Sequence, residues 1–289
     1  MTEPAVDPDR AALLAELLAA VRVRPTGTDA FEATSPDWWG ERVFGGMVVA
    51  QHLSAAQHGT APGLRLHSAH GSFLRAVVPG PPVTLRVEHL REGRTFTTRQ
   101  VTAEQAGRAT SRFVCSFHTE EPGDEYQLPM QDVPHPDGLP SSDAPGPFLT
   151  RDAGPLPCAD GTFRSSARLW HRTVGPLPDD PAAHVAMLGF FSDMTRTSFR
   201  PLSLDDWGTH IDASVDHAVW FHRPARPDRW LFYDLQAVVN TAGRSLVRGL
   251  MYTEDGRLVL SMSQELLIRR LPGAGGNAPW RAGPADSEV

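Results

Sequence analysis

A half-length internal repeat constrains this chain more than any other feature of its sequence. Phe73-Leu74-Arg75, followed by Pro79, returns as Phe221-His222-Arg223, followed by Pro227, and 221 − 73 = 148. Gly93-Arg94-Thr95-Phe96 returns as Gly243-Arg244-Ser245-Leu246 (243 − 93 = 150), and Gly107-Arg108 as Gly256-Arg257 (256 − 107 = 149). Each copy reads as an apolar strand, a turn, a second strand, a glycine turn and a third strand. A repeat at half the length of a 289-residue chain predicts two similar units. In the second copy, polar side chains fall where the first has bland ones, so the second copy is where chemistry is expected.

Bulk properties remove several function classes. The net charge is −7 and there is no basic run or basic amphipathic helix, so neither nucleic acid nor an anionic membrane is an expected partner. No stretch approaches the roughly 20 apolar residues of a membrane helix, and the polar, acidic start from Met1 to Arg10 does not read as a signal peptide. Two cysteines, Cys115 and Cys158, fit a reducing cytoplasm and supply no disulfide framework. Lysine is absent, which excludes both a Schiff-base lysine and a P-loop lysine.

Periodicity then gives the elements. Ala11 to Val21 reads as an amphipathic helix after a disordered start over residues 1–9. Phe31 to Thr34 is a short strand, and Gly45-Gly46 opens a helix running from Met47 to Ala56. Strands follow at Leu64 to Val78, from Val83 in clean alternation, at Thr95 to Glu104 and at Arg108 to His118. Residues 119–160, rich in Pro, Asp and Gly, read as a linker or surface excursion. The second unit begins with a strand from Phe163 to Val174. Pro178-Asp179-Asp180-Pro181 starts an apolar helix, and strands follow at Ala213 to His222, Trp230 to Val239, Ser245 to Thr253 and Leu258 to Arg269. The expected division is 1–118, a linker over 119–160, a second unit over 161–271, and a disordered tail over 272–289. The fold class is α+β: one long apolar helix before an antiparallel meander, present twice, is the double hotdog arrangement, in which each sheet wraps its helix.

Three polar residues of the second unit stand out. Asp193 interrupts the apolar run from Met187 to Met194, and a carboxylate there is costly to bury unless it is paired or used. The competing reading puts it on the wet face or at a cap. Alternation places Leu258, Leu260, Met262 and Gln264 on one strand face, so the Gln264 amide lies on the apolar side, where the first unit has Cys115 (264 − 115 = 149). Backbone groups alone could satisfy it. Ser214 enters the repeat just before Asp216 and alone reads as an ordinary strand serine. Together a carboxylate, a hydroxyl and an amide could hold one water, the carboxylate accepting its proton. Met47 pairs with Asp193 across the repeat at 193 − 47 = 146, given a small gap.

Several other signals are weaker. Asp212 and His217 have an Asp-x4-His spacing without the surrounding hydratase context. Asp216 and His217 are adjacent on a strand and point to opposite faces. No histidine set has metal-ligand spacing, and no Gly-x-Ser-x-Gly elbow exists.

The chain resembles the type II acyl-CoA thioesterases, the TesB-like double hotdog family. The matching stretches are Val43–Gln51, Leu66–Arg75, Ser192-Asp193-Met194, Val215–Pro224 and Ser263-Gln264-Glu265; the Asp-His-x-x-Trp-Phe-His-Arg-Pro run within them is long and specific. The resemblance implies a hydrolase that cleaves acyl-CoA to a free acid and CoA without a metal or redox cofactor. It places the water-positioning Asp, Thr and Gln of that family on Asp193, Ser214 and Gln264. Ser214 keeps the hydroxyl and loses a methyl. The family's Phe-Gly-Gly-Gln is Phe44-Gly45-Gly46-Met47 here, so Gly45, Gly46 and Met47 are expected to meet substrate. The glycines could supply a backbone oxyanion site, or serve only tight helix packing. By the same analogy a homodimer or homotetramer is expected. A non-catalytic acyl-thioester-binding module and a hotdog enoyl-CoA hydratase are the alternatives.

Overall fold

The computed structural model describes residues 7–38, 40–140, 146–154, 166–195 and 210–270. The chain opens with helix α1 (Pro8–Val21), capped by the Asp7 carboxylate, which accepts from the Asp9 N–H at 3.0 Å. Pro8 and Asp9 are therefore helical rather than part of a disordered start: proline suits a first helical turn, whose N–H groups have no helical acceptor. Strands β1 (Arg24–Gly27) and β2 (Ala30–Ala33) form a small hairpin, of which the first was not expected. Helix α2 (Gly45–Gln57) and strands β3 (Leu64–Phe73), β4 (Val83–Glu92), β5 (Phe96–Gln105) and β6 (Arg108–Thr119) complete the first half.

The second half holds β7 (Phe148–Asp152), β8 (Ser166–Thr173), helix α3 (Pro181–Ser192) and then β9 (His210–Ser214), β10 (Asp216–Phe221), β11 (Leu231–Thr241), β12 (Arg244–Thr253) and β13 (Leu258–Arg270). Asp180 caps α3 by accepting from the Ala182 N–H at 3.0 Å, with Pro181 in the first turn, as its sequence signals. The strand expected from Ala213 to His222 breaks at Val215 into β9 and β10, because β13 continues past β10 and takes β9 as its next partner.

All strands join one antiparallel sheet, ordered β1-β2-β4-β5-β6-β3-β10-β13-β12-β11-β8-β7, with β9 on β13. Read inward from its two ends, the order is the same in both halves, and β3 meets β10 at the centre. The inner face wraps α2 and α3, which share a single apolar core with both half-sheets. The helices run antiparallel in close contact. A Cβ on Gly189 would lie 2.4 Å from Leu53 Cδ1, one on Gly46 would lie 2.4 Å from the Phe190 carbonyl oxygen, and at the far end Gln57 Nε2 donates to the Ala182 carbonyl at 3.2 Å. The N-terminus of α2 therefore meets the C-terminus of α3.

The Pro-rich segment does more than link. β7 pairs with β8 in the sheet, and Met130, Val133 and Leu139 pack on a second apolar cluster of Trp170, Trp230, Phe232, Tyr252 and Leu258. Backbone carbonyls tie it down: Trp170 Nε1 donates to Pro134 at 3.0 Å and Arg168 Nη2 to Asp132 at 2.6 Å. Prolines bring no N–H, so an extended strap held through its carbonyls suits this composition. Cys158, Phe163 and the tail over 272–289 lie outside the described residues.

Candidate active site

Asp193 sits immediately beyond the last turn of α3, where the helix delivers its C-terminus toward the first turn of α2. It is the C-cap residue of α3 and is not on a wet face: only 3% of it is exposed. Its surroundings supply the hydrogen bonds that burial demands. Gln264 Nε2 donates to Asp193 Oδ1 at 2.5 Å and contacts Ser214 Oγ at 2.8 Å, while Ser214 Oγ donates to Asp193 Oδ1 at 3.4 Å. The backbone N–H of Gly46 also reaches the carboxylate. Four elements thus converge: the start of α2, the end of α3, strand β9 and strand β13. On β13 the buried face runs Leu258, Leu260, Met262, Gln264, Leu266, so alternation places the amide in the interior as its sequence position requires.

Burial dominates the electrostatics. Desolvation pushes the Asp193 carboxyl up to about 7, against the opposing hydrogen bonds from Gln264, Ser214 and Gly46, with Asp212 adding to the rise. The helix adds its own strain, since the C-terminal end of a helix carries partial negative charge and disfavours an anion. A carboxyl that exchanges its proton near neutral pH can serve as a general base there.

The two glycines are explained by space. A Cβ on Gly45 would lie 2.6 Å from Asp193 Oδ2 and 3.3 Å from Ser214 Oγ. Gly45 therefore lets the start of α2 approach the carboxylate, while Gly46 makes room for the Phe190 carbonyl and the Phe44 ring. Met47 differs from expectation. It is wholly buried in the apolar core, in the first turn of α2, and is no counterpart of Asp193, which follows the last turn of α3. The repeat offset misleads there because residues 193–209 separate α3 from β9, whereas only six residues, 58–63, separate α2 from β3.

Residues outside the sequence-derived trio complete the site. Thr195 Oγ1 donates to Gln264 Oε1 at 3.3 Å, and the Thr195 N–H to the Asp193 carbonyl at 2.7 Å. Tyr233 on β11 donates its hydroxyl to the Ser192 carbonyl at 2.7 Å, satisfying one of the carbonyls left open at the end of α3; burial and the Asp193 charge hold its phenol well above the usual range. His217 is buried beneath Ser192, with its Nε2 2.8 Å from Ser192 Oγ, while Asp216 on the opposite face accepts from the Glu265 N–H at 2.8 Å. Lone Thr, Tyr and His residues carry no spacing signal, so only the folded contacts reveal them. Among the described residues, no group of three or more His, Cys, Asp or Glu is placed to hold a metal ion, and no helix is long and apolar enough to cross a membrane.

This geometry can be set beside known proteins. Residues 35–118 match the family model described as the acyl-CoA thioesterase N-terminal domain, and residues 155–267 the one described as acyl-CoA thioesterase. The acyl-CoA thioesterase 2 of Haemophilus influenzae is 31% identical over 263 residues, covering 83% of this chain and 92% of that protein. The acyl-coenzyme A thioesterase 8 of Mus musculus is 29% identical, covering 80% of this chain and 82% of that protein. Among solved structures, the acyl-CoA thioesterase II TesB2 of Mycobacterium marinum superposes with a TM-score of 0.80 at 33% identity, covering 90% of this chain and 99% of that one.

Proposed function

Because the chain belongs to the type II acyl-CoA thioesterases and so hydrolyses acyl-CoA thioesters, we propose that Asp193, Ser214 and Gln264 position and activate the water. Asp193 in its ionised form accepts a proton from water. The water oxygen attacks the thioester carbonyl carbon, the carbon–sulfur bond breaks, and the departing CoA thiolate takes the proton back from Asp193. Free acid and CoA result. Ser214 and Gln264 orient the water against the carboxylate. The first-turn N–H of Gly45, which has no helical acceptor, is the proposed donor to the developing oxyanion. Gly46 directs its N–H at Asp193 and contributes close approach. Met47, expected to meet substrate, is instead assigned to packing.

The observation that supports this reading most strongly is a buried carboxylate held by a glutamine amide and a serine hydroxyl at the meeting of two helix ends. The test is free-thiol release from acyl-CoA by wild type and Asp193→Asn. The expected loss is about 10³-fold in kcat, within the range of a positioned general base. Undiminished turnover by a folded variant would remove Asp193 from the mechanism. The proposed setting is the cytoplasm, supported by the scarcity of cysteine and by the buried free thiol of Cys115. The proposed assembly is a homodimer or homotetramer, which sedimentation would test.

A further inference from the structure

His217 takes no part in the hydrolytic step, yet its surroundings fix it closely. The single proton of Ser192 Oγ goes to the Gly189 carbonyl at 2.8 Å. Ser192 Oγ must then accept from His217 Nε2, 2.8 Å away, so the ring carries its proton on Nε2. Burial pushes the imidazole down to about 4, so Nδ1 stays bare near neutral pH. Nδ1 is buried and has no hydrogen-bond partner of good geometry among the described residues.

The register shows what this lone pair faces. Ala218 pairs with Ser263, so His217, one step back on β10, lies across from Gln264 on β13. The Gln264 amide adjoins the ring. Its nitrogen is engaged with Asp193 and Ser214 and its oxygen accepts from Thr195, while its contact with the ring raises the imidazole against the larger, lowering effect of burial. Turning the amide over would lose all three contacts. His217 therefore backs the amide whose N–H groups reach Asp193 and Ser214. Through Ser192 the same ring anchors the residue immediately before Asp193. The first half has Ala69 in this place, across from Cys115 (217 − 69 = 148), and nothing there needs orienting. The other titratable groups around the pair are His70 on β3, Asp212 on β9 and Tyr233 on β11.

We propose that His217 is a positioning residue that sets the Gln264 amide and the Ser192–Asp193 turn, and so tunes the carboxyl that activates water. The proposal rests on the reading of Asp193 as that carboxyl. Carboxyl-¹³C aspartate NMR, with Asp193→Asn identifying the resonance, follows the Asp193 titration independently of turnover. His217→Ala is expected to raise the Asp193 midpoint by about one pH unit, because hydrogen bonds that favour the carboxylate are loosened. It should lower kcat about tenfold or more with KM within about twofold, the pattern of an interaction made in the transition state. His217→Gln, which keeps a donor toward Ser192, should recover most of both effects. Ser192→Ala, a smaller change, should move the midpoint in the same direction if His217→Ala does not fold. An unmoved midpoint in a folded His217 or Ser192 variant overturns the proposal, as does a His217→Gln variant no better than His217→Ala. A wild type without thiol release would instead refute the hydrolytic reading, and the midpoint shift would still decide whether His217 positions the carboxyl.

Discussion

The C-terminal ends of α2 and α3 occupy related places in the two halves and are finished in opposite ways. At the end of α2, Arg99 reaches over from β5. Its Nη1 donates to the Ala56 and His58 carbonyls at 2.7 and 2.8 Å, and its guanidinium lies 5.5 Å from the centre of the Phe117 ring. A buried cation there satisfies open carbonyls and complements the negative end of the helix. Beside it Cys115, the counterpart of Gln264, pairs across the strands with Arg99, its thiol pushed up to about 12 by burial. At the end of α3 a neutral phenol, Tyr233, takes one carbonyl, and a carboxylate, Asp193, is left at the negative end. On the proposed mechanism, the first half is finished for stability and the second for chemistry. A destabilised, proton-exchanging group is the kind of local cost that functional sites carry.

The largest expected effect is on the pH dependence of stability. Asp193 has its folded value raised from 3.8 to about 7. The folded state therefore holds a proton that the unfolded state releases between those values. The resulting stability is full below 3.8 and is lost as pH rises through about 7, a span of roughly 4 kcal/mol. Asp193→Asn does not titrate, so it should gain on wild type by about this much between pH 4 and pH 8 while losing activity. Urea unfolding of both proteins across that range measures it. The buried imidazoles His52, His171 and His217, each pushed down to about 4 by desolvation, work the other way: their contribution is present above 6.5 and lost as pH falls toward 4. Both proteins should therefore weaken on acidification below about pH 6.5. An Asp193→Asn gain equal at both ends of the range would show that the carboxyl is not held protonated in the fold.

Replacing Arg99 with Met attacks the other helix end. The aliphatic stem is kept and the cation removed, leaving the buried Ala56 carbonyl and the part-buried His58 carbonyl without it. The expected cost is about 1–3 kcal/mol, the range for one unsatisfied buried polar group. Thiol release per folded molecule should hardly change, because the proposed site lies at the opposite end of the helix pair. A large loss of kcat in folded Arg99→Met would mean that the two ends are coupled.

This contrast was only half legible in the sequence. Gln264 and Cys115 are counterparts at a clean offset because both lie on strands joined by short, similar turns. Period-two burial then shows that their side chains point inward. Asp193 was visible as a charge inside an apolar run. Arg99 was not: it lies in an ordinary alternating strand, and its partners are the end of a helix about forty residues earlier. Met47 was set against Asp193 because a constant offset carries over strands and turns but not across connections of different length. Strand β7 and the strap over the second sheet were hidden by composition. Proline and glycine signal the lack of regular hydrogen bonding, and that also describes an extended segment held by its carbonyls.

Gly45 is where the halves touch at the site, so Gly45→Ala tests how tightly the first half frames the second. The new Cβ would stand 2.6 Å from Asp193 Oδ2. The carboxylate must move, and a sub-ångström displacement of the proposed base is expected to lower kcat about tenfold or more. The overpacking itself should cost about 1–2 kcal/mol. Thermal melts and thiol release measured together separate the two, and full activity in Gly45→Ala would show that the approach of α2 is not needed for turnover.

The smallest effect belongs to a polar network of the first half. His89 on β4 bonds Glu92 Oε1 through Nδ1 at 2.6 Å and Asp29 Oδ1 through Nε2 at 2.9 Å. Those hydrogen bonds, first to Asp29 and then to Glu92, raise the imidazole above 6.5. A raised histidine stabilises below the unfolded value and loses that contribution as pH climbs through the folded one. The ring is about a third exposed, so solvent and salt screen the pairs. His89→Ala should therefore cost less than about 1 kcal/mol at pH 6, less still at pH 8, and less in high salt. A loss that grows with pH, or one unmoved by salt, would show that His89 acts through packing rather than charge. The polar groups of this network would then be structural throughout, and the asymmetry in titrating chemistry would rest on the second half alone.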